Sequence, residues 1–392
     1  MSHQAQEDAM TSDTHIAPLT LPDTRARRII EQLLAGSGVT LNGNQPWDLR
    51  VYHPDFFSRV LHQGTLGLGE AYMDGWWECD RIDEMTCRLL LHGLGERAHT
   101  STERLMYRLQ SGFFNLQSKA RAYIVGEAHY DLGNDLFERM LDPTMCYSCG
   151  YWKEARNLHE AQRAKLELAC RKLDLHPGMR VLDIGCGWGS FAEHAARHHG
   201  VEVTGITISR EQAALARERC EGLPVEIRLQ DYRDLEGHYD RIVSIGMFEH
   251  VGHRNYATYF QTVERLLDAG GLFLLHTIGR NNSDISTDPW INKYIFPNGI
   301  LPSAMHIAKA SEAHLMMEDW QNFGADYDRT LMAWLANVDE RWHEIADNYN
   351  ERTRRMFRYY LSVCAGGFRA RHMQLWQVVF SRGRLGRYDA PR

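Results

Sequence analysis

The run Val181-Leu182-Asp183-Ile184-Gly185-Cys186-Gly187-Trp188-Gly189 carries the first recognisable chemistry in the chain. Glycines at the carboxyl end of a strand permit a tight turn and let a ligand approach the backbone. The helix that opens after them presents free N–H groups. The spacing is G-x-G-x-G, not the G-x-G-x-x-G of a dinucleotide site, and an acid, Asp183, stands two residues ahead of the first glycine. A carboxylate there repels a pyrophosphate but can accept from an ammonium, directly or through water. A nucleotide cofactor that carries an amino acid meets this demand, which points to S-adenosylmethionine. Two further groups stand at strand ends, Glu249 in GMFEHVG (246–252) and His276 in LLHTIG (274–279), where open α/β sheets bind ligands. Taken alone, a surface or capping role accounts for either one.

The second strand of such a fold usually closes on an acid that binds ribose hydroxyls. Here it closes Gly205-Ile206-Thr207-Ile208-Ser209. Ribose and adenine contacts then fall to Thr207, Ser209, Gln212 or the segment Gln230-Asp231-Tyr232. Cys146 and Cys149 have CxxC spacing, but no second pair or paired-histidine motif accompanies them, so the expectation is no metal and no redox role.

These residues need a frame. Apolar runs at 179–184, 201–208, 225–229, 240–245 and 271–277 read as strands. Between them lie helical segments at 190–199, 210–220 (N-cap Ser209) and 255–267, the last stopped by Gly270-Gly271. Alternation at this spacing predicts a parallel, doubly wound α/β sheet. Further strands are expected at 315–320 and 374–380, with a long helical stretch at 328–366 broken near Asn348, for a seven-stranded Rossmann-like sheet of class I methyltransferase type. A smaller α+β domain is expected at 21–110 and contains a basic amphipathic helix, Arg25–Leu34. The remaining divisions are a disordered tail at 1–20, a linker at 111–128 and a catalytic domain at 129–392.

With 392 residues, 44% hydrophobic and 24% charged, the chain reads as soluble and globular. No run approaches the roughly 18–20 apolar residues that cross a bilayer, and the polar start lacks a signal-peptide pattern. Eight dispersed cysteines fit a reducing compartment, so the protein is expected in the cytoplasm. A net charge of −7 argues against nonspecific nucleic-acid binding.

Seven segments, in this order, carry a specific resemblance: HYDLGNDLF (129–137), LDPTMCYSCGYW (141–152), VLDIGCGWG (181–189), GMFEHVG (246–252), LLHTIG (274–279), DPWINKYIFPNG (288–299) and CAGGFRAR (364–371). Together they resemble the cyclopropane-fatty-acyl-phospholipid synthases, within the cyclopropane/mycolic acid synthase family of S-adenosylmethionine-dependent methyltransferases. The likeness runs from about Val51 to Arg384, and the glycine loop alone would not single out this family.

The resemblance implies transfer of a methyl carbon to the cis double bond of an unsaturated phospholipid acyl chain. Such chemistry passes through a carbocation, so the site must exclude water and offer aromatic faces. Tyr130, Tyr147, Tyr151, Trp152, Phe248, Tyr294, Phe296 and Tyr327 are candidates for those faces, and each serves equally well as a core aromatic. The resemblance also implies a bicarbonate as proton acceptor, held by Cys149, Glu249, His276, the Ile278 backbone and Tyr327. Cys364 joins the implied site but ranks below that set, because a thiolate would compete for the electrophilic methyl. Implied cofactor contacts are Tyr147, Ser148, Asp183, Gly185, Gly187, Gly189, Thr207, Gln212, Asp231 and Tyr232.

Gly150 stands where the family more often has alanine, an exchange expected to loosen its loop. The resemblance further implies a homodimer and peripheral attachment to the inner face of the membrane. The helix Arg25–Leu34 is one candidate contact, equally readable as a plain surface helix, and Arg352–Arg358 with Met356 and Phe357 is another. An olefin methyltransferase with a methyl-branched product and an inactive lipid-binding homologue are the competing readings.

Overall fold

The computed structural model describes residues 17–94 and 133–392. The expected linker, residues 1–16 of the expected tail, and residues 129–132 with Tyr130 lie outside the described residues. The N-terminal lobe holds α1 (Arg25–Leu34), β1 (Arg50–Val51), α2 (Phe56–Met73), β2 (Trp77–Glu78) and α3 (Ile82–Leu91), with β1 antiparallel to β2. Thr24 caps α1 by accepting from the Arg27 amide. The Leu19 amide donates to the Val51 carbonyl at 2.8 Å, so residues 17–20, expected in the tail, belong to this lobe.

The catalytic part runs α4 (Asn134–Met140), α5 (Leu158–Lys172), β3 (Arg180–Ile184), α6 (Ser190–His199), β4 (Glu202–Thr207), α7 (Arg210–Arg219), β5 (Val225–Leu229), β6 (Tyr239–Ile245), α8 (Tyr256–Leu266) and β7 (Leu267–Arg280). It continues through α9 (Pro289–Tyr294), α10 (Ala304–Ser311), β8 (Met316–Asn322), α11 (Ala325–Arg341), α12 (Glu351–Arg369) and β9 (Met373–Ser381). The seven strands are ordered β5-β4-β3-β6-β7-β9-β8. Val181, Leu182 and Ile184 of β3 and Leu272–Leu275 of β7 are wholly buried, as central strands covered on both faces must be. Val181, Val203 and Leu274 pack with α5 and α6, whereas Leu182, Ile242 and Phe273 pack with α8.

The sheet departs from the expected parallel arrangement. β9 runs antiparallel to both β7 and β8, while the other five strands pair in parallel. Met373, the first residue of β9, pairs with Arg280, the last of β7. Helix α12 therefore delivers the chain to the finishing end of β7, from where the next strand can only run back. Strand β7 also starts at Leu267 rather than at Gly271, with a register irregularity absorbing the two glycines.

Helix α12 is buried along most of its second half. Gly366 lies so close to α3 that a Cβ there would stand 2.4 Å from the Asp83 carbonyl. Tyr359 packs edge-on to Trp290 and near Tyr72 and Trp77. Arg352, Arg355 and Arg358 pair with Asp74, Glu78 and Asp339, and Met356 and Phe357 are buried. Met356 and Phe357 are therefore unavailable as membrane anchors, while Arg352 keeps 46% of its side chain exposed and Arg354 33%. On α1, Ile30 is buried and Leu33 exposed.

Candidate active site

A cavity of about 210 Å³ opens at the carboxyl ends of β3 and β4, against the α6 N-terminus. Gly185 and Cys186 both donate backbone N–H groups to Ile206 O at 2.9 Å, which folds the turn against β4. Gly185, Gly187 and Gly189 all have positive φ (80°, 55° and 83°), a conformation that favours glycine. The cavity is lined by Tyr147, Ser148, Asp183, Gly185, Gly187, Thr207, Gln212, Asp231 and Tyr232, nine of the ten residues expected to bind cofactor. Gly189 is the exception. A Cβ there would meet Ala216 Cβ at 3.2 Å and Cys220 Sγ at 3.3 Å, so this glycine lets α6 approach α7.

Asp183 is buried and its Oδ2 has no partner among the described residues. Burial pushes its carboxyl up to about 7, against the pull of Lys165. An orphaned acceptor beside a glycine turn suits the ammonium of an amino-acid cofactor. The Thr207 hydroxyl donates to Gln212 Oε1 at 2.9 Å, and Ser209 caps α7 through the Gln212 amide. These polar groups stand where the ribose-binding acid is missing. The Asp231 carboxylate is gripped twice by the Arg233 guanidinium, at 2.8 and 2.7 Å, which fixes its orientation.

Two lining residues escaped the sequence reading. Lys165 on α5 is buried and donates to Ser148 Oγ at 2.9 Å, and His250, pushed down to about 4 by burial, lies near Phe296. Lys165 lies in none of the motif segments, and His250 lies in GMFEHVG beside the more conspicuous Glu249. Only the fit of the 145–152 loop against α5 brings Lys165 inside.

The proposed acceptor residues form a second group behind the cavity wall, and none of the five lines the cavity itself. The Ile278 amide donates to Glu249 Oε1 at 2.7 Å, joining the turn after β6 to the end of β7. Glu249 Oε2 is buried without a partner among the described residues, and so is His276 Nε2. Gln377 engages the other imidazole nitrogen, at 3.3 Å from His276 Nδ1. Burial raises the Glu249 carboxyl to about 7, opposed by the Ile278 N–H, and drives His276 well below its usual range. Cys149 is fully buried, with its thiol pushed far up by desolvation, and donates to Gly150 O at 3.1 Å. Tyr327 is held protonated by burial, with Cys149, Tyr147 and Glu249 among its electrostatic neighbours.

Aromatic side chains wall this region. The Tyr147 hydroxyl donates to the Tyr360 hydroxyl at 3.0 Å, and the Tyr147 ring lies 5.3 Å from Trp334 and 6.4 Å from Phe296. Of the other expected aromatics, Phe248 stacks on Tyr256 in the core, Tyr151 packs edge-on to Phe323, and Tyr294 donates to Glu70. The Trp152 indole donates to the buried Thr330 hydroxyl at 2.8 Å. Gly150 does not loosen its loop. An alanine there would place Cβ 2.9 Å from Ala161 Cβ, and Tyr151 N donates to Ala161 O, so glycine seats the loop tightly on α5. Cys364 is partly buried, and desolvation raises its thiol to about 12, which disfavours a thiolate at neutral pH.

A seven-stranded sheet of this order, with its cavity at the glycine turn, defines a class I S-adenosylmethionine-dependent methyltransferase. Comparison with known proteins narrows the class. The family described as mycolic acid cyclopropane synthetase matches residues 117–378. The cyclopropane-fatty-acyl-phospholipid synthase of Escherichia coli (strain K12) is 60% identical over 372 residues, covering 95% of this chain and 97% of its own. A probable fatty acid methyltransferase of Pseudomonas putida is 34% identical over 92% of this chain and 93% of its own. The solved structure of mycolic acid cyclopropane synthase CmaA1, complexed with SAH and CTAB, aligns with a TM-score of 0.62 at 34% identity, covering 66% of this chain and 97% of that one. The chain belongs to the mycolic acid cyclopropane synthetase family and is a methyltransferase. No helix among the described residues is long and apolar enough to cross a membrane.

Proposed function

We propose that the protein converts the cis double bond of an unsaturated phospholipid acyl chain into a cyclopropane ring. The observation that carries this reading is two bare, buried polar atoms, Glu249 Oε2 and His276 Nε2, with Tyr327 an electrostatic neighbour of both Glu249 and Tyr147 and packing 6.0 Å from Trp334. When bound, S-adenosylmethionine supplies an electrophilic methyl carbon and bicarbonate supplies a proton acceptor. The bare atoms and the Cys149 thiol fit a small oxyanion, and Glu249, His276, Cys149, Tyr327 and the Ile278 backbone are the groups that would hold it.

Asp183, Thr207 and Gln212 orient the cofactor, while the Lys165 amine donates to Ser148 Oγ and holds that hydroxyl at the cavity edge. The aromatic faces stabilise positive charge that develops on the acyl chain. Burial keeps out water, which would otherwise capture that charge as an alcohol. Glu249, raised to about 7, is poised to exchange a proton near neutrality. The name of the Escherichia coli relative, which this chain matches over nearly its whole length, supports a phospholipid as the acceptor. We extend the reading to a homodimer that attaches to membranes peripherally, to be checked by light scattering and vesicle flotation.

The test is product analysis on vesicles of defined unsaturated phospholipid. A gain of one CH2 with loss of the alkene signal supports the reading. A mass gain with the alkene retained, or a methyl-branched product by NMR, assigns a different methyl transfer. No turnover would indicate a lipid-binding homologue.

A further inference from the structure

Away from the cavity, helices α5 and α6 bring together four side chains that the reaction does not use. Cys170 Sγ and the nitrogens of His194 and His199 all lie within 4.8 Å of one another. Glu167 Oε2 lies 3.3 Å from His194 Nε2 and 3.1 Å from His199 Nε2. Glu167 and Cys170 are three residues apart and so share one face of α5. His199 is the last residue of α6, just before the left-handed Gly200, where the helix end turns its ring back toward α5.

We propose that Glu167, Cys170, His194 and His199 form a structural transition-metal site, best suited to zinc. Thiolate, imidazole and carboxylate are the ordinary ligands of that ion. One thiolate, one carboxylate and two neutral imidazoles balance a divalent charge. Bonds of about 2.0–2.3 Å in a tetrahedron separate ligand atoms by roughly 3.3–3.8 Å. The Glu167–His194 spacing of 3.3 Å falls in that range and the Glu167–His199 spacing of 3.1 Å lies just under it. The widest spacing needs to close by about 1 Å, which imidazole rotation provides.

The burial pattern fits a site with a route in from solvent. Cys170 is fully buried, His194 and His199 are mostly covered, and the Glu167 side chain is 45% exposed. Without an ion, burial keeps the Cys170 thiol protonated. Binding therefore releases that proton to solvent as the metal–sulfur bond forms. Four protein ligands leave no open position, which makes the site structural rather than catalytic. It ties α5 to α6 one turn beyond Leu166 and Ser190, two residues that line the cofactor cavity. The alternative is a hydrogen-bonded His–Glu–His triad that takes no ion.

The full-length protein, reduced and stripped of metal, would be titrated with Zn2+ and separately with Co2+. One tightly held equivalent is expected, with a near-ultraviolet thiolate-to-cobalt band and the visible bands of tetrahedral cobalt. Cys170→Ser should abolish the thiolate band. The more exposed His199→Gln should weaken Zn2+ binding at least about tenfold and remove any zinc-dependent rise in melting temperature. His199→Gln is the safeguard should the buried serine fail to fold. No Zn2+ retained at micromolar concentration, a cobalt complex without the thiolate band, or undiminished binding in His199→Gln would each overturn the proposal.

Discussion

Glu249 and Ile278 are joined across the ends of two neighbouring strands, with the Ile278 amide donating 2.7 Å to one carboxylate oxygen and leaving the other bare. The bond aims the free oxygen without neutralising it. Glu249→Gln keeps the acceptor for that amide and removes the ionisable group. Turnover should fall at least about a hundredfold, the range of a positioned acid–base group, while affinity for S-adenosylhomocysteine stays near the parent value. Calorimetric binding and product formation, measured on the same preparation, check both halves. Near-parental turnover would remove Glu249 from the chemistry.

Stability should carry the mark of the same carboxylate. Glu249 rises from 4.5 to about 7 on folding, and Asp183 from 3.8 to about 7, both through burial. Between the unfolded and folded values the native state holds protons that the unfolded chain has lost. Their contribution is therefore full below pH 4 and disappears as pH rises through 7. For Glu249 alone the change is about 3 kcal/mol at 1.36 kcal/mol per unit. In urea unfolding of the cofactor-free protein, Glu249→Gln should gain stability relative to the parent between pH 5 and pH 8. Parallel pH curves would refute the assignment.

The glycine turn separates into two functions that substitution can tell apart. At Gly187 an added Cβ meets nothing within 4 Å and projects beside the cavity, whereas at Gly189 it meets α7 at φ 83°. Both glycines have positive φ, so either alanine should cost about 1–2 kcal/mol of stability, and Gly189→Ala more because its Cβ also crowds Ala216. Gly187→Ala should weaken cofactor binding more than it lowers the melting temperature. The reverse ranking in paired thermal-melt and binding measurements would contradict the structure of the turn.

Cys364, with its thiol pushed up to about 12, should be dispensable. Cys364→Ala is expected to keep turnover within a few-fold of the parent, and iodoacetamide at pH 7 should leave this residue unmodified by peptide mass spectrometry. Rapid alkylation at Cys364 would show that a thiolate is present after all.

What the sequence disclosed was what is local. The strand Arg180–Ile184 and its glycines are contiguous, so their pattern is legible without a fold. Nine of ten cofactor candidates line one cavity, five of them in the motif loops and four, Thr207, Gln212, Asp231 and Tyr232, at or after the ends of the next two strands. Long-range packing was hidden. Lys165 sits on a helix with no pattern marking it as buried, and it is turned inward by a loop 17 residues away. Gly189 belongs to the same glycine run as Gly187, yet it faces Ala216 and Cys220 rather than the ligand. The reversal of β9 depends on where α12 ends, which no strand periodicity encodes. Likewise Arg352–Arg358 reads as a basic surface until Asp74, Glu78 and Asp339 are placed against it.

Helix α12 grips the N-terminal lobe through Gly366 and Tyr359 and touches the reaction side through the Tyr360–Tyr147 hydroxyl pair. A helix clasped on both sides behaves as a rigid coupling rod. A displacement of the lobe would be carried along this helix to the Tyr147 ring. The lobe and the sheet should accordingly melt together, and detaching residues 17–94 would strip the outer wall from the rod.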